Sequence, residues 1–89
     1  FFDRNDLHLT EELKTTIIDN CKNNTYTGFG NYTVQKMEDV DGFKFHLNDN
    51  SWVMIRASGT EPLLRVYAES PNQTETENIL ATVKKVLLG

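Results

Sequence analysis

The chain has 89 residues, 38% of them hydrophobic and 25% charged, and carries a formal net charge of −4. That length supports one hydrophobic core, and the ordinary composition fits a globular domain. The acidic balance argues against a nucleic-acid partner held on a broad basic face, and no apolar run reaches the roughly 18 residues that a membrane-spanning helix needs.

The chain opens FFDRNDLHLT, without a methionine and with two phenylalanines ahead of any structural signal. Residues 1–89 read as a single domain cut from a longer protein, and residues 1–9 as the remnant of an interdomain linker. Thr10 then suits a helix N-cap, and Glu11 and Glu12 put negative charge in the first turn, where the helix dipole favours it. Leu13, Ile17 and Cys21 recur every four residues with Ile18 beside them, and this helix should end near Lys22. Cys21 is the only cysteine and reads as a core thiol in a reducing compartment. NTYTGFGN (residues 24–31) reads as a loop in which Gly28 and Gly30 permit positive φ. A lone G-x-G without a preceding strand is weak evidence for a nucleotide. The N-x-T triplets at Asn23, Asn31 and Asn72 are attributed to chance in a chain rich in Asn and Thr.

Four strands are expected next. YTVQKMED (residues 32–39) alternates, and Asp41–Gly42 supplies a turn. FKFHLN places Phe43, Phe45 and Leu47 on one face, with Lys44 and His46 on the other. NDN (residues 48–50) turns again, and SWVMIRA and LLRVYAES complete the set. Such short gaps favour antiparallel neighbours. SPNQTETENILATVKKVLLG closes the chain as a helix, with Thr74 and Glu77 as a capping box, an apolar stripe through Ile79, Leu80, Val83, Val86 and Leu87, and Gly89 at the C-cap. The fold class is α+β, in the order α-β-β-β-β-α: a four-stranded antiparallel sheet with two helices packed on one face. In the last strand pair Val53, Ile55, Leu64, Val66 and Ala68 should face the helices. Trp52, Met54, Arg56, Arg65 and Tyr67 then share the other face, which is too apolar for plain solvent surface.

IRASGTEPLLRVY (residues 55–67) carries the chemistry. Arg56 ends one strand and Arg65 lies early in the next, so the pairing can bring two guanidinium groups to the mouth of the ASGTEP loop. Ser58 and Thr60 offer hydroxyls, Gly59 lets backbone amides approach a ligand, and arginine's fork suits phosphate oxygens. These residues describe a phosphate cradle. They also allow an ordinary hairpin whose arginines pair with Glu61 and Glu69, and Glu61 would repel an anion unless it is turned away.

The string R-x-S-G-T-E-P-x-x-R-V-Y, within DGFKFHLNDNSWVMIRASGTEPLLRVYAES (residues 41–70), closely resembles the C-terminal domain of the α-D-phosphohexomutases, the phosphoglucomutase/phosphomannomutase family. The flanking helices fit that domain's layout. The resemblance implies a four-domain cytoplasmic enzyme that moves phosphate between the 1- and 6-positions of a hexose through a hexose 1,6-bisphosphate. A phosphoserine in the first domain, Mg2+ in the second and a sugar-reading loop in the third would do the rest. This domain would close over the cleft and hold the phosphate that is not being transferred. Residue by residue, Arg56 would be a main phosphate ligand, Ser58 and Thr60 would donate hydroxyls, Gly59 its amide, and Arg65 would add charge or hold the loop. Many members have proline where this chain has Ala57. Neither the serine loop nor the Asp-rich metal loop is present, so the chain alone should be neither catalytic nor a binder of Mg2+. The expected partners are a hexose phosphate and the other three domains of the same polypeptide, with no nucleic acid and no membrane.

Other readings are weaker. His8 and His46 have no ligand cluster at metal spacing, EDVD (residues 38–41) runs into a turn at Gly42, and no Ser/His/Asp triad is legible. Single-strand RNA binding is weakened by the acidic charge and the element order. The alternative from a different class is a free-standing interaction module that uses the Trp52/Tyr67 face on a protein partner.

Overall fold

The computed structural model describes residues 1–39, 41–47 and 50–89. In chain order the elements are β1 (Phe2–His8), α1 (Glu11–Lys22), β2 (Gly28–Phe29), β3 (Tyr32–Thr33), β4 (Lys36–Asp39), β5 (Phe43–His46), β6 (Trp52–Ala57), β7 (Leu63–Glu69) and α2 (Gln73–Leu88). The main sheet runs β1-β7-β6-β5-β4, antiparallel throughout, and β2 and β3 form a separate two-stranded ribbon.

Period-two alternation sets the inner face of the sheet. Phe43 lies opposite Ile55, Phe45 opposite Val53, and Ile55 and Val53 in turn meet Val66 and Ala68. All are buried, and they join Ile17 and Cys21 of α1 and Ile79, Leu80, Val83 and Leu87 of α2 in one core. Both helices therefore cover the same face, as the α+β reading requires. Burial pushes the Cys21 thiol up to about 12, which keeps it protonated and unreactive as a core residue.

The sheet has five strands rather than four. The added one, β1, lies inside residues 1–9, the stretch read as linker, and pairs along its whole length with β7 from Phe2↔Glu69 to His8↔Leu63. Its start is fastened as well. The Phe1 ammonium donates to the Ser70 carbonyl at 2.8 Å, and the Phe1 carbonyl accepts from the Ser70 N–H at 3.0 Å and the Thr76 hydroxyl at 3.1 Å.

The expected strand over residues 32–39 is two pieces, β3 and β4, belonging to different sheets. The expected loop over residues 24–31 contains β2 and a fully buried aromatic, Phe29, whose ring lies 5.5 Å from Tyr26 and 5.2 Å from Phe45. Gly30 alone of the two loop glycines has positive φ, at 59°.

Helix boundaries follow capping. Thr10 Oγ1 accepts from the Leu13 N–H at 3.1 Å, as its position suggests. For α2 the cap is Asn72, whose Oδ1 accepts from the Glu75 N–H at 2.7 Å, and not the Thr74/Glu77 box. This earlier start lets Thr76 bury its hydroxyl 2.6 Å from that of Ser70. Gly89 closes α2 with φ at 83° and its N–H on the Lys85 carbonyl. Asn48 and Asp49 of the expected NDN turn lie outside the described residues.

Candidate functional site

The antiparallel register of β6 and β7 puts Arg56 directly opposite Arg65. Both belong to the face turned away from the helices. Like charges in facing positions cost stability unless something between them is negative. The two arginines and residues 57–59 line a pocket of about 240 Å³, smaller than a drug-sized site and of a size for one compact charged group. Thr60 does not line it. Its N–H, like that of Glu61, points at Ser58 Oγ, at 3.4 and 3.3 Å. The Ser58 hydroxyl thus accepts from the loop's own backbone, and its proton remains free to be given to a ligand.

The loop is anchored from behind. Lys14 Nζ, on α1, donates to the carbonyls of Ser58 at 2.8 Å and Glu61 at 3.1 Å. The Ser58 N–H reaches the Leu63 carbonyl at 3.2 Å, and the Leu9 N–H reaches that of Pro62 at 2.9 Å. Among the described residues the Gly59 N–H has no hydrogen-bond acceptor. A Cβ built on Gly59 would meet nothing within 4 Å, and its φ is not positive. Neither packing nor a positive φ requires glycine there, and the space beside it is open.

The ordinary-hairpin reading fails in its particulars. Among the described residues neither arginine forms an ion pair with Glu61 or Glu69. The contact present is between Arg56 and Asp41, at 3.8 Å, with the Arg56 side chain 49% and the Asp41 side chain 80% exposed. Asp41 reaches that place because the β4–β5 turn sits tight on β6: a Cβ on Gly42 would lie 3.2 Å from the Ile55 carbonyl. The sequence reading took Asp41 for a turn residue only, and Lys14 for none at all.

The rest of the open face is aromatic. Phe2 of β1 covers part of it, its ring 6.1 Å from Trp52 and 6.0 Å from Tyr67, and Lys44 Nζ lies 4.5 Å from the Trp52 ring centre. His46 is hydrogen-bonded to Glu38 across β4 and β5, and that bond holds the Glu38 carboxyl below the usual carboxylate range. His8 is exposed at the end of β1. Among the described residues no three His, Cys, Asp or Glu side chains come together as metal ligands, and no helix is long and apolar enough to cross a membrane.

Residues 17–86 match the family described as phosphoglucomutase/phosphomannomutase, C-terminal domain. The chain is 31% identical over 78 residues to a probable phosphoglucosamine mutase of Methanobrevibacter smithii, covering 88% of this chain and 17% of that protein. It is 36% identical over 58 residues to a phosphopentomutase of Thermococcus kodakarensis, covering 61% of this chain and 13% of the relative. The same identity over 58 residues relates it to a phosphomannomutase of Salmonella muenchen, covering 65% and 12%. The chain thus spans about a sixth or less of the length of these relatives.

Proposed function

The chain belongs to the phosphoglucomutase/phosphomannomutase family as a C-terminal domain, and on that premise we propose that it holds the non-transferred phosphate of a hexose phosphate while another phosphate moves between the 1- and 6-positions. The observation that carries the reading is the Arg56–Arg65 pair, held in register over one small pocket with a free backbone amide beside it.

Each group has a part in this reading. Arg56 and Arg65 supply charge and planar donors for phosphate oxygens. Gly59 donates its unoccupied N–H, and Ser58 its hydroxyl proton. Thr60 does not line the pocket, and its hydroxyl is assigned a part only with a ligand larger than the pocket. An anion between the arginines removes the repulsion that the bare sheet carries. No bond is made or broken by these residues, so the chain positions the substrate and the chemistry falls to other domains of the polypeptide. In this reading Mg2+ and the bisphosphate intermediate belong to those domains too. The names of the relatives span glucosamine, pentose and mannose phosphates; a site that reads phosphate suits all of them. The reading goes with a cytoplasmic location.

Backbone amide shifts during a titration with glucose 1-phosphate, against glucose as control, test it. Changes confined to residues 56–65, saturating at roughly millimolar concentration, are expected with the phosphate alone. Equal responses to both sugars, or none to the phosphate, would overturn the assignment.

A further inference from the structure

We infer that Lys14 is a positioning residue of the phosphate site, aiming the Gly59 amide from the far side of the loop; this rests on the reading just proposed. The geometry is that of a single peptide plane. In a trans peptide the C=O of one residue and the N–H of the next point in opposite directions, and the chain contains no cis bonds. Lys14 Nζ fixes the Ser58 carbonyl at 2.8 Å. The N–H on the opposite side of that plane belongs to Gly59, a residue that lines the pocket and whose amide lacks an acceptor among the described residues.

A second bond makes the hold two-point. The same ammonium donates to the Glu61 carbonyl at 3.1 Å, so one side chain spans the loop between Ser58 and Glu61. Both captured groups are the negative ends of peptide dipoles. Without Lys14 the Ser58–Gly59 plane could rotate and present its carbonyl oxygen, and not its N–H, to an anion. Lys14 is half-buried on α1, a helix seated in the core through Ile17 and Cys21. Its charge sits at the negative ends of those two peptide dipoles, on the Ser58 and Glu61 carbonyls. Residues 14 and 58 are 44 positions apart, so this support comes from elsewhere in the chain than the loop motif.

The test titrates inorganic phosphate into the parent chain and into Lys14→Met, which keeps most of the aliphatic stem and removes the donors. In the variant, phosphate should bind roughly three- to tenfold more weakly, as loss of one well-aimed amide predicts. The phosphate-induced shift of the Gly59 amide should vanish while the Arg65 Nε–H still responds. A general loosening of the fold would weaken both responses together. Lys14→Gln, a neutral donor able to hold one carbonyl, should restore part of the Gly59 response, and it carries the test if the Met variant does not fold. A folded Met variant whose affinity is within twofold of the parent's and whose Gly59 shift is intact overturns the role of Lys14. A parent chain that gives no phosphate response overturns the phosphate reading itself, and this inference with it.

Discussion

The two faces of the β6–β7 ribbon are built from the same two strands and obey different rules. On the inner face Val53, Ile55, Leu64, Val66 and Ala68 are all buried and meet the helices. On the outer face Trp52, Met54, Arg65 and Tyr67 are half-buried and Arg56 is exposed. Neighbouring residues in one strand therefore answer to different demands. Ile55 is where it is because it fills a core; Arg56, the next residue, stands opposite another arginine, which no packing argument would choose. Residues that cost stability are the ones whose reason lies outside the fold.

Substitution should separate the two faces. Ile55→Ala removes a fully buried side chain between Phe43 and Val66 and should cost about 2–5 kcal/mol, read from urea unfolding. A cost below about 1 kcal/mol would mean that the inner face is not one packed core. Arg56→Ala should do the reverse. Phosphate binding should weaken at least tenfold, about 1.4 kcal/mol, while stability stays within about 0.5 kcal/mol or rises slightly as the like-charge pair is relieved. A large loss of stability there would show Arg56 to be a structural residue.

Asp41→Asn sharpens the comparison within the outer face. Asp41 sits at φ 55°, a conformation asparagine also accepts, so the change removes charge with little strain. On the proposed reading the carboxylate would compete with phosphate for Arg56, in an exposed pair worth roughly 0.2–1 kcal/mol. Binding should tighten about two- to threefold, as measured in the same titration; unchanged affinity would show that Asp41 does not compete.

The smallest effect concerns pH. The Glu38 carboxyl is held low first by its hydrogen bond from His46, then by Lys36. A carboxyl lowered on folding stabilises the fold fully above the ordinary carboxylate range, and the gain disappears as pH falls through the lowered value. Parent and Glu38→Gln chains should thus differ in urea midpoint at neutral pH and converge in acid. A constant gap would assign the effect to packing.

Much of this was legible in the sequence. Alternation is clean over residues 43–47, and in the next two strands the buried Val53 and Ile55 and the buried Leu64, Val66 and Ala68 keep the same period of two, because burial on one side imposes it. β1 was not legible for the complementary reason. It pairs through its backbone at the sheet's edge, and only Leu7 among its seven residues is buried. Asn72 and Thr74 are both good caps, and local pattern could not choose between them; the buried contact of Thr76 with Ser70 does. At the site, the loop motif exposes Arg56, Ser58, Gly59 and Arg65. Lys14 and Asp41 were missed because each acts across the fold, one on carbonyls that every residue has, the other from a turn that looks sufficient as a turn.

The charges along β1 have a further consequence. Strands at the margins of a sheet expose backbone groups that can template pairing with another molecule, the first step towards fibrillar association. Here the two outermost strands are β1 and β4. Asp3, Arg4 and Asp6 line one and Lys36 and Asp39 the other, all exposed. A second molecule adding its own strand at either margin would have to bring its backbone up against these charged side chains, which protects a protein with such regular central strands from stacking into an endless sheet.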